Sequence, residues 1–252
     1  MAANPDFTRF LDRRDAGRRL AARLVGEPLA DPVVIGMARG GVPVAAEIAR
    51  ALGAPLDVAI VRKVGAPDQP ELAIGAIAEG DAVAIDPRDA GLLGIDEETV
   101  AAIVARERRE LERRERVYRA ECPQLPLAGR TAILVDDGLA TGHTARAAAR
   151  ALHKRGAATI VLAVPVCPIE STLLPPEPPV DRFVYVTAPR QMMAVGYWYA
   201  DFPQVSDDEV ISLLRAARGE QPAQSAPREP AVPTGAGESE IEIDAGGGVR
   251  LD

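Results

Sequence analysis

The stretch AILVDDGLATGHT, residues 132–144, joins an apolar strand to two adjacent acids and a loop that opens a helix. A loop at the start of a helix presents free N–H groups and the positive end of the helix dipole, which suits a phosphate. Thr141 and Thr144 add hydroxyl donors there. Two acids beside such a loop repel a phosphate unless sugar hydroxyls or a divalent cation engage them. The residues alone therefore indicate a sugar phosphate as the ligand.

Short apolar strands alternate with helices on both sides of this stretch. The predicted strands are 33–36, 56–61, 131–135, 159–164 and 182–186, and the predicted helices are 11–25, 42–52, 97–120, 143–155 and 207–217. Residues 72–78 and 82–85 are predicted to form a hairpin. This order predicts an α/β fold with a mostly parallel, twisted sheet flanked by helices. Ligands of such sheets bind at the carboxyl ends of the strands.

Composition and charge exclude several other classes of protein. The 252 residues carry a net charge of −8, which argues against a chain-wide attraction to nucleic acid or anionic membranes. No apolar run reaches the roughly 18 residues of a membrane span. The N-terminus shows no apolar leader. We therefore expect a cytoplasmic protein without nucleic-acid or membrane partners, in which Cys122 and Cys167 are reduced thiols.

The central stretch resembles the PRPP-binding motif of the type I phosphoribosyltransferases (PRPP, 5-phosphoribosyl pyrophosphate). The likeness extends over about residues 8–217 and is strongest to a bacterial group whose acceptor is unassigned. The resemblance implies that Asp136 and Asp137 hold the ribose hydroxyls, directly or through the cofactor Mg²⁺. It implies that a loop cradles the 5-phosphate, with contacts from Gly138, Ala140, Thr141, Gly142, His143 and Thr144. For His143 we expect the backbone to matter more than the ring.

Two further segments fit the same resemblance. IGMARGG, residues 35–41, stands where the family binds pyrophosphate in a loop that often carries a strained or cis peptide. Its implied contacts are Ala38, Arg39, Gly40 and Gly41, and a plain structural turn is the alternative. Arg62 and Lys63 resemble basic residues that meet pyrophosphate, with two solvated charges as the alternative. The implied catalytic set is Arg39, Lys63, Asp136 and Asp137.

The resemblance also implies a lid over about 64–95 and a hood over about 180–205. A lid is needed because the developing ribosyl cation must be kept from water. Six of the nine aromatic residues fall within 183–202, where they stack on an acceptor base or form a satellite core or dimer contact. Glu71 and Glu79 are interpreted as solvated acids, with acid–base catalysis as the alternative. The charged run 106–116 is interpreted as a solvated helix face with pairs such as Glu110–Arg114, and a basic contribution to the lid is the alternative.

The C-terminal part has a different character from residues 1–218, the predicted transferase domain. Residues 219–237 are rich in Pro, Gly, Ala, Ser and Glu and are predicted to be a disordered linker. Residues 238–252 resemble the truncated start of a second, hydrolase-like domain, for which we predict no hydrolase activity. Residues 219–252 carry seven acids and two bases, so residues 1–218 have a net charge of only −3.

The implied function is transfer of the phosphoribosyl group of PRPP to a nitrogenous base, with release of pyrophosphate. Such an enzyme is a Mg²⁺-dependent pentosyltransferase of nucleotide salvage, and the family expectation is a homodimer. An Asp of the 6-oxopurine enzymes is replaced here by Ala140, which disfavours hypoxanthine and guanine. A non-catalytic PRPP-binding regulatory module and one part of a fused enzyme are the alternatives.

Overall fold

A computed structural model describes residues 9–67, 69, 72–80, 82–85, 87–172 and 179–219, with the backbone alone for 87–89. Glu71 lies outside these residues, as do the predicted linker and tail from residue 220 onward.

A five-stranded parallel sheet forms the centre of the described part, as the sequence predicts. Its strands are β1 Pro32–Met37, β2 Leu56–Ala59, β6 Thr131–Val135, β7 Thr159–Val166 and β8 Arg182–Thr187, and β3 to β5 form a second sheet. The strand order of the central sheet is β2-β1-β6-β7-β8. The inner strands are buried on both faces, which explains their near-continuous Val, Ile and Leu runs.

Helices cover both faces of this sheet. The helices of the described part are α1 Arg13–Leu24, α2 Gly41–Leu52, α3 Pro87–Leu92, α4 Glu97–Glu121, α5 His143–Lys154 and α6 Asp207–Ala217, of which α1, α2, α5 and α6 pack on the central sheet. Leu24, Ile48 and Leu214 represent one core cluster, which lies under α1, α2 and α6. Leu152 of α5 belongs to the cluster on the opposite face. The short helix α3 was not predicted, because six residues carry too little hydrophobic periodicity.

A second sheet contains the predicted hairpin, which is confirmed. Strands β3 Val61–Gly65, β4 Ala73–Ala78 and β5 Ala82–Ile85 pair antiparallel in the order β3-β4-β5. The prediction of one strand over 56–61 is wrong, because the chain changes sheet at Ile60. Strand β4 is buried throughout and packs with β5 against α5, so this part of the expected lid belongs to the packed body.

Four charged side chains form a buried network between the two sheets. Arg119 donates to Asp57 at 2.6 Å, to the Val58 carbonyl at 2.7 Å and to both oxygens of Glu79 at 3.0 and 2.9 Å. Arg155 lies 3.2 Å from Asp57 and 3.6 Å from Glu79. The interpretation of Glu79 as a solvated acid is wrong: it is 3% exposed, because α4 brings Arg119 over it.

Both cysteines are buried and free, as expected of structural thiols, and burial raises the pKa of Cys167 to about 12. Within the described ranges, no helix has the length and apolar character needed to cross a membrane.

Candidate active site

The two predicted ligand loops meet at the carboxyl edge of the central sheet. Strands β1 and β6 are neighbours, with Gly36 paired to Val135, so the loops that follow them lie side by side. A Cβ on Gly40 would lie 2.1 Å from Oδ2 of Asp137, and one on Gly41 would lie 2.4 Å from the Val135 carbonyl oxygen. Gly41 is therefore required by the close approach of backbone atoms. A Cβ on Gly40 would force the Asp137 side chain to shift, so the expected pyrophosphate loop touches the expected ribose acids.

Arg39 lies in the loop after β1, beyond a cis peptide bond between Ala38 and Arg39. The cis form agrees with the expectation from the resemblance. The guanidinium lies 3.8 Å from Oδ1 of Asp207, at the start of α6. That carboxylate also accepts a hydrogen bond from the Tyr118 hydroxyl at 2.5 Å and one from Arg113 at 3.4 Å. Partial burial raises the pKa of Asp207, but these hydrogen bonds outweigh it and hold the pKa below its usual range.

Asp136 and Asp137 are half-buried at the end of β6. Nε of Arg13 donates to Oδ2 of Asp137 at 2.9 Å, and the backbone N–H of Asp137 donates to Oδ1 of Asp136 at 2.9 Å. Burial and the neighbouring Asp137 charge raise the pKa of Asp136 well above its usual range. Burial also raises the pKa of Asp137, although Arg13 opposes this. The pair therefore favours any ligand that neutralises or hydrogen-bonds the two carboxylates.

Helices α2 and α5 both begin at this edge without a side-chain cap. Their N-cap residues, Gly40 and Gly142, make no capping hydrogen bond from a side chain. By contrast, Asp12, Asp96 and Ser206 cap α1, α4 and α6. Uncapped first-turn N–H groups are available to an anion, and the helix dipole favours one there.

The remaining residues of the predicted phosphate loop differ in exposure. Ala140 and Thr141 are exposed, Thr144 is half-buried and His143 is buried. Gly138 is in tight contact with the aromatic-rich segment, since a Cβ there would lie 2.5 Å from Val195. The individual roles of these residues stay predictions.

The structure separates Arg62 from Lys63. Both lie on β3, in the second sheet, and successive strand side chains point to opposite faces. Nε of Arg62 donates to Glu107 of α4 at 3.0 Å, and Lys63 is half-buried. Arg62 is thus part of an ion pair rather than a solvated charge.

The predicted pair Glu110–Arg114 is confirmed at 3.0 Å, but the burial of Glu107 shows that the charged run 106–116 is not a purely solvated face.

Sequence reasoning missed the side chains that hold Asp137. Tyr199 is 3% exposed, and its hydroxyl donates to the Asp137 carbonyl at 2.5 Å. Its ring lies 5.3 Å from that of Phe10 and 4.7 Å from that of Phe202. For Tyr199 and Phe202 the structure thus shows the satellite core that the sequence left open, and this core supports the acidic motif. The exposed side chain of Tyr197 lies under Arg9, 4.3 Å from the ring centroid.

The residues present fit a Mg²⁺ ion that is completed by a substrate. Mg²⁺ prefers oxygen ligands and is commonly held by one or two carboxylates plus phosphate oxygens and water. The two half-buried carboxylates with raised pKa values supply that donor type. In the described part of the chain, no group of three or more acidic, His or Cys side chains forms a closed metal site. The remaining ligands would therefore come from the substrate and water.

The protein is an open α/β protein with a parallel central sheet. At the carboxyl edge of that sheet, two adjacent acids lie between the starts of two helices that have a glycine N-cap and no side-chain cap. This arrangement defines a candidate site for an anionic ligand. The chain belongs to the phosphoribosyl transferase domain family, whose model matches residues 8–187. This confirms the resemblance and the fold class predicted from the sequence.

Known relatives agree with this assignment. Two Mycobacterium tuberculosis proteins, from different strains and each described as "putative phosphoribosyl transferase", are 43% identical over 208 residues, which is 82% of this chain. The chain spans about half of their length, since the match covers 47% of each. The crystal structure of TT1426 from Thermus thermophilus is 41% identical with a TM-score of 0.68, covering 82% of this chain and 98% of that one.

Proposed function

We propose that this chain transfers the 5-phosphoribosyl group of PRPP to a nitrogenous base and releases pyrophosphate. The observation that carries the proposal is the contact between Gly40 and Asp137, which joins an arginine-bearing loop and a carboxylate pair at one sheet edge. One substrate with a pyrophosphate at one end and ribose hydroxyls beside it matches this arrangement.

In this proposal the chain's own residues bind and orient PRPP. Asp136 and Asp137 accept hydrogen bonds from the ribose hydroxyls, and the start of α5, with Thr141 and Thr144, holds the 5-phosphate. Arg39 and the backbone of the loop after β1 bind the pyrophosphate. The bond from carbon 1 to the pyrophosphate oxygen breaks, and pyrophosphate leaves with that electron pair. A nitrogen of the base bonds to carbon 1 and loses its proton to the released pyrophosphate or to water. Arg39 favours this step because it binds the charge that develops on the leaving group.

Asp136 and Asp137 would hold the Mg²⁺ ion. When bound, the ion would offset the negative charge of the departing pyrophosphate. Lys63 is the second basic residue that we assign to the pyrophosphate side. The homodimer, the cytoplasmic location, the role in salvage and the lid and hood boundaries stay predictions from the resemblance.

The test is to incubate the full chain with PRPP, Mg²⁺ and a panel of purine and pyrimidine bases, and to measure pyrophosphate. We expect release with at least one base, and loss of release in Asp137→Asn and Arg39→Ala with the fold retained. Arg116→Ala, an exposed arginine of α4, is the control and should match the wild type. Tight PRPP binding without turnover for every base would favour the regulatory module, and unchanged rates in both site variants would overturn the site assignment.

A further inference from the structure

Arg13 stands out as a half-buried arginine that binds Asp137 from a distant part of the chain. Its side chain is 10% exposed and that of Asp137 is 15% exposed. Besides its bond to Asp137, the guanidinium donates to the Pro203 carbonyl at 2.6 Å and lies 3.7 Å from the centroid of the Phe202 ring. Three contacts of different kinds thus fix its position.

The chain around these contacts is built to hold the arginine in place. Backbone hydrogen bonds join Phe10 to Trp198 and Ala200, at 2.9 and 2.8 Å, and Asp201 donates to Leu11 at 2.9 Å. Asp12 then caps α1, so Arg13 is the first residue of a helix anchored to the aromatic segment. The segment's Tyr199 binds the main chain of Asp137 while Arg13 binds its side chain. Residue Asp137 is therefore oriented from two directions.

We propose that Arg13 is a positioning residue for the substrate ribose, an inference that rests on the proposed function. By taking Oδ2 of Asp137, Arg13 leaves Oδ1 to accept a hydrogen bond from a ribose hydroxyl. The single positive charge of Arg13 also offsets only one of the two carboxylate charges of the pair. Among the described residues, the hydrogen bond that Asp136 accepts comes from a backbone N–H rather than from a cation. Of the two roles proposed for the pair, the ribose contact would then fall mainly on Asp137 and the cation contact mainly on Asp136.

The test separates ribose recognition from pyrophosphate recognition in the full chain. The affinities for PRPP with Mg²⁺, for ribose 5-phosphate and for pyrophosphate are measured by calorimetry in the wild type, Arg13→Ala, Arg13→Gln and Arg13→Lys. A lost hydrogen bond between charged groups corresponds to a tenfold to hundredfold loss of affinity. We expect about that loss for PRPP and ribose 5-phosphate in Arg13→Ala, with pyrophosphate affinity unchanged, because pyrophosphate binds at the Arg39 loop. Arg13→Lys should recover part of the affinity.

Arg18→Ala is the matched control, since Arg18 lies on the same helix, is 52% exposed and approaches Asp15 only at 3.9 Å. It should leave all three affinities unchanged. Equal losses for all three ligands in Arg13→Ala would mean general damage and would overturn the positioning role. If Arg13→Ala does not fold, Arg13→Gln is judged by the same criterion. Wild-type affinities retained in the Arg13 variants would overturn the role of Arg13 alone. A wild type that binds neither PRPP nor ribose 5-phosphate would overturn the proposed function and this inference with it.

Discussion

Removing the Arg119 side chain tests whether the buried charge network holds the second sheet on the body of the protein. The variant Arg119→Met keeps much of the side-chain volume but removes every hydrogen bond to Asp57, Val58 and Glu79. The side chains of the two acids are 0% and 4% exposed, and Arg155, at 3.2 and 3.6 Å, would then be the cation that they share. Asp57 would keep the hydrogen bonds that it accepts from the backbone N–H groups of Val58 and Leu125, at 2.8 and 3.2 Å. The wild-type network balances two acids with two arginines. In the variant, two acids would face one arginine, so the network would carry an excess negative charge.

The expected loss is large compared with the stability of a domain. Removing one partner of a buried ion pair costs about 3–5 kcal/mol, because a buried charge stays without compensation. The low exposure of the three side chains leaves little room for solvent to screen that charge. A typical domain unfolds with about 5–15 kcal/mol, so the variant should fold but with a clearly lower free energy of unfolding.

The loss should depend on pH with a defined sign. Burial already raises the pKa of Glu79 above its usual value, against the opposing effect of Arg119. Without Arg119 the folded-state pKa rises further, so the folded variant binds a proton that the unfolded chain releases. The stability of the variant relative to the wild type therefore falls as pH rises through that pKa, and is recovered in acid.

The assay is urea denaturation followed by circular dichroism at about pH 5 and pH 8. Arg116→Met on the exposed face of α4 is the control and should change the free energy of unfolding by less than about 0.5 kcal/mol. The double variant Arg119→Met with Glu79→Gln should recover part of the loss, since it removes the uncompensated charge. A loss below about 1 kcal/mol for Arg119→Met at pH 8, or no recovery in the double variant, would refute the reasoning.

Three further outcomes are expected. Gly40→Ala should abolish PRPP binding with the secondary structure retained, because a Cβ there lies 2.1 Å from Oδ2 of Asp137. If calorimetry gives the variant the same PRPP affinity as the wild type, the loop contact is contradicted. Asp136→Asn should raise the free energy of unfolding at neutral pH, by about 1.4 kcal/mol for each unit by which the folded pKa exceeds the unfolded one. That gain should disappear below about pH 4, where the wild-type carboxyl is protonated in both states, and a denaturation series over pH with no such trend would argue against the raised pKa. Cys167 should resist thiol reagents at pH 8 until the protein unfolds, because burial raises its pKa to about 12; rapid labelling of the native protein would show that the thiol is accessible.

The features that the sequence predicts correctly are those formed by residues that are adjacent along the chain. The strand, the acids, the glycines and the helix of 132–155 are neighbours along the chain, so their order alone indicates a loop that joins a strand end to a helix. The ligand of that loop stays a prediction. Strand 56–61 fails as a single element because an unbroken apolar run does not show where the chain leaves one sheet for another. Glu79 fails because a hairpin turn is exposed by default, and only the packing of α4 brings Arg119 over it.

The same limit explains why the partners of Asp137 were missed. Arg13 is 124 residues away from it and Tyr199 is 62 residues away, and neither lies in a pattern that marks a ligand site. The signals available were an arginine-rich start of α1 and an aromatic segment with no assigned partner, and they indicate a contact only once the fold joins them.

The support of the two acids therefore comes from both ends of the described chain, Arg13 near one end and Tyr199 and Phe202 near the other. The family match ends at residue 187, whereas Tyr199 and Phe202 lie beyond it, so the acids are supplied within the matched region and part of their support comes from outside. Two adjacent carboxylates in a half-buried loop destabilise the fold that carries them, as the raised pKa of Asp136 indicates. Arg13 offsets one of the two charges and leaves the other. Under the proposed function, the charge left on the pair is what a cation or a sugar hydroxyl would engage.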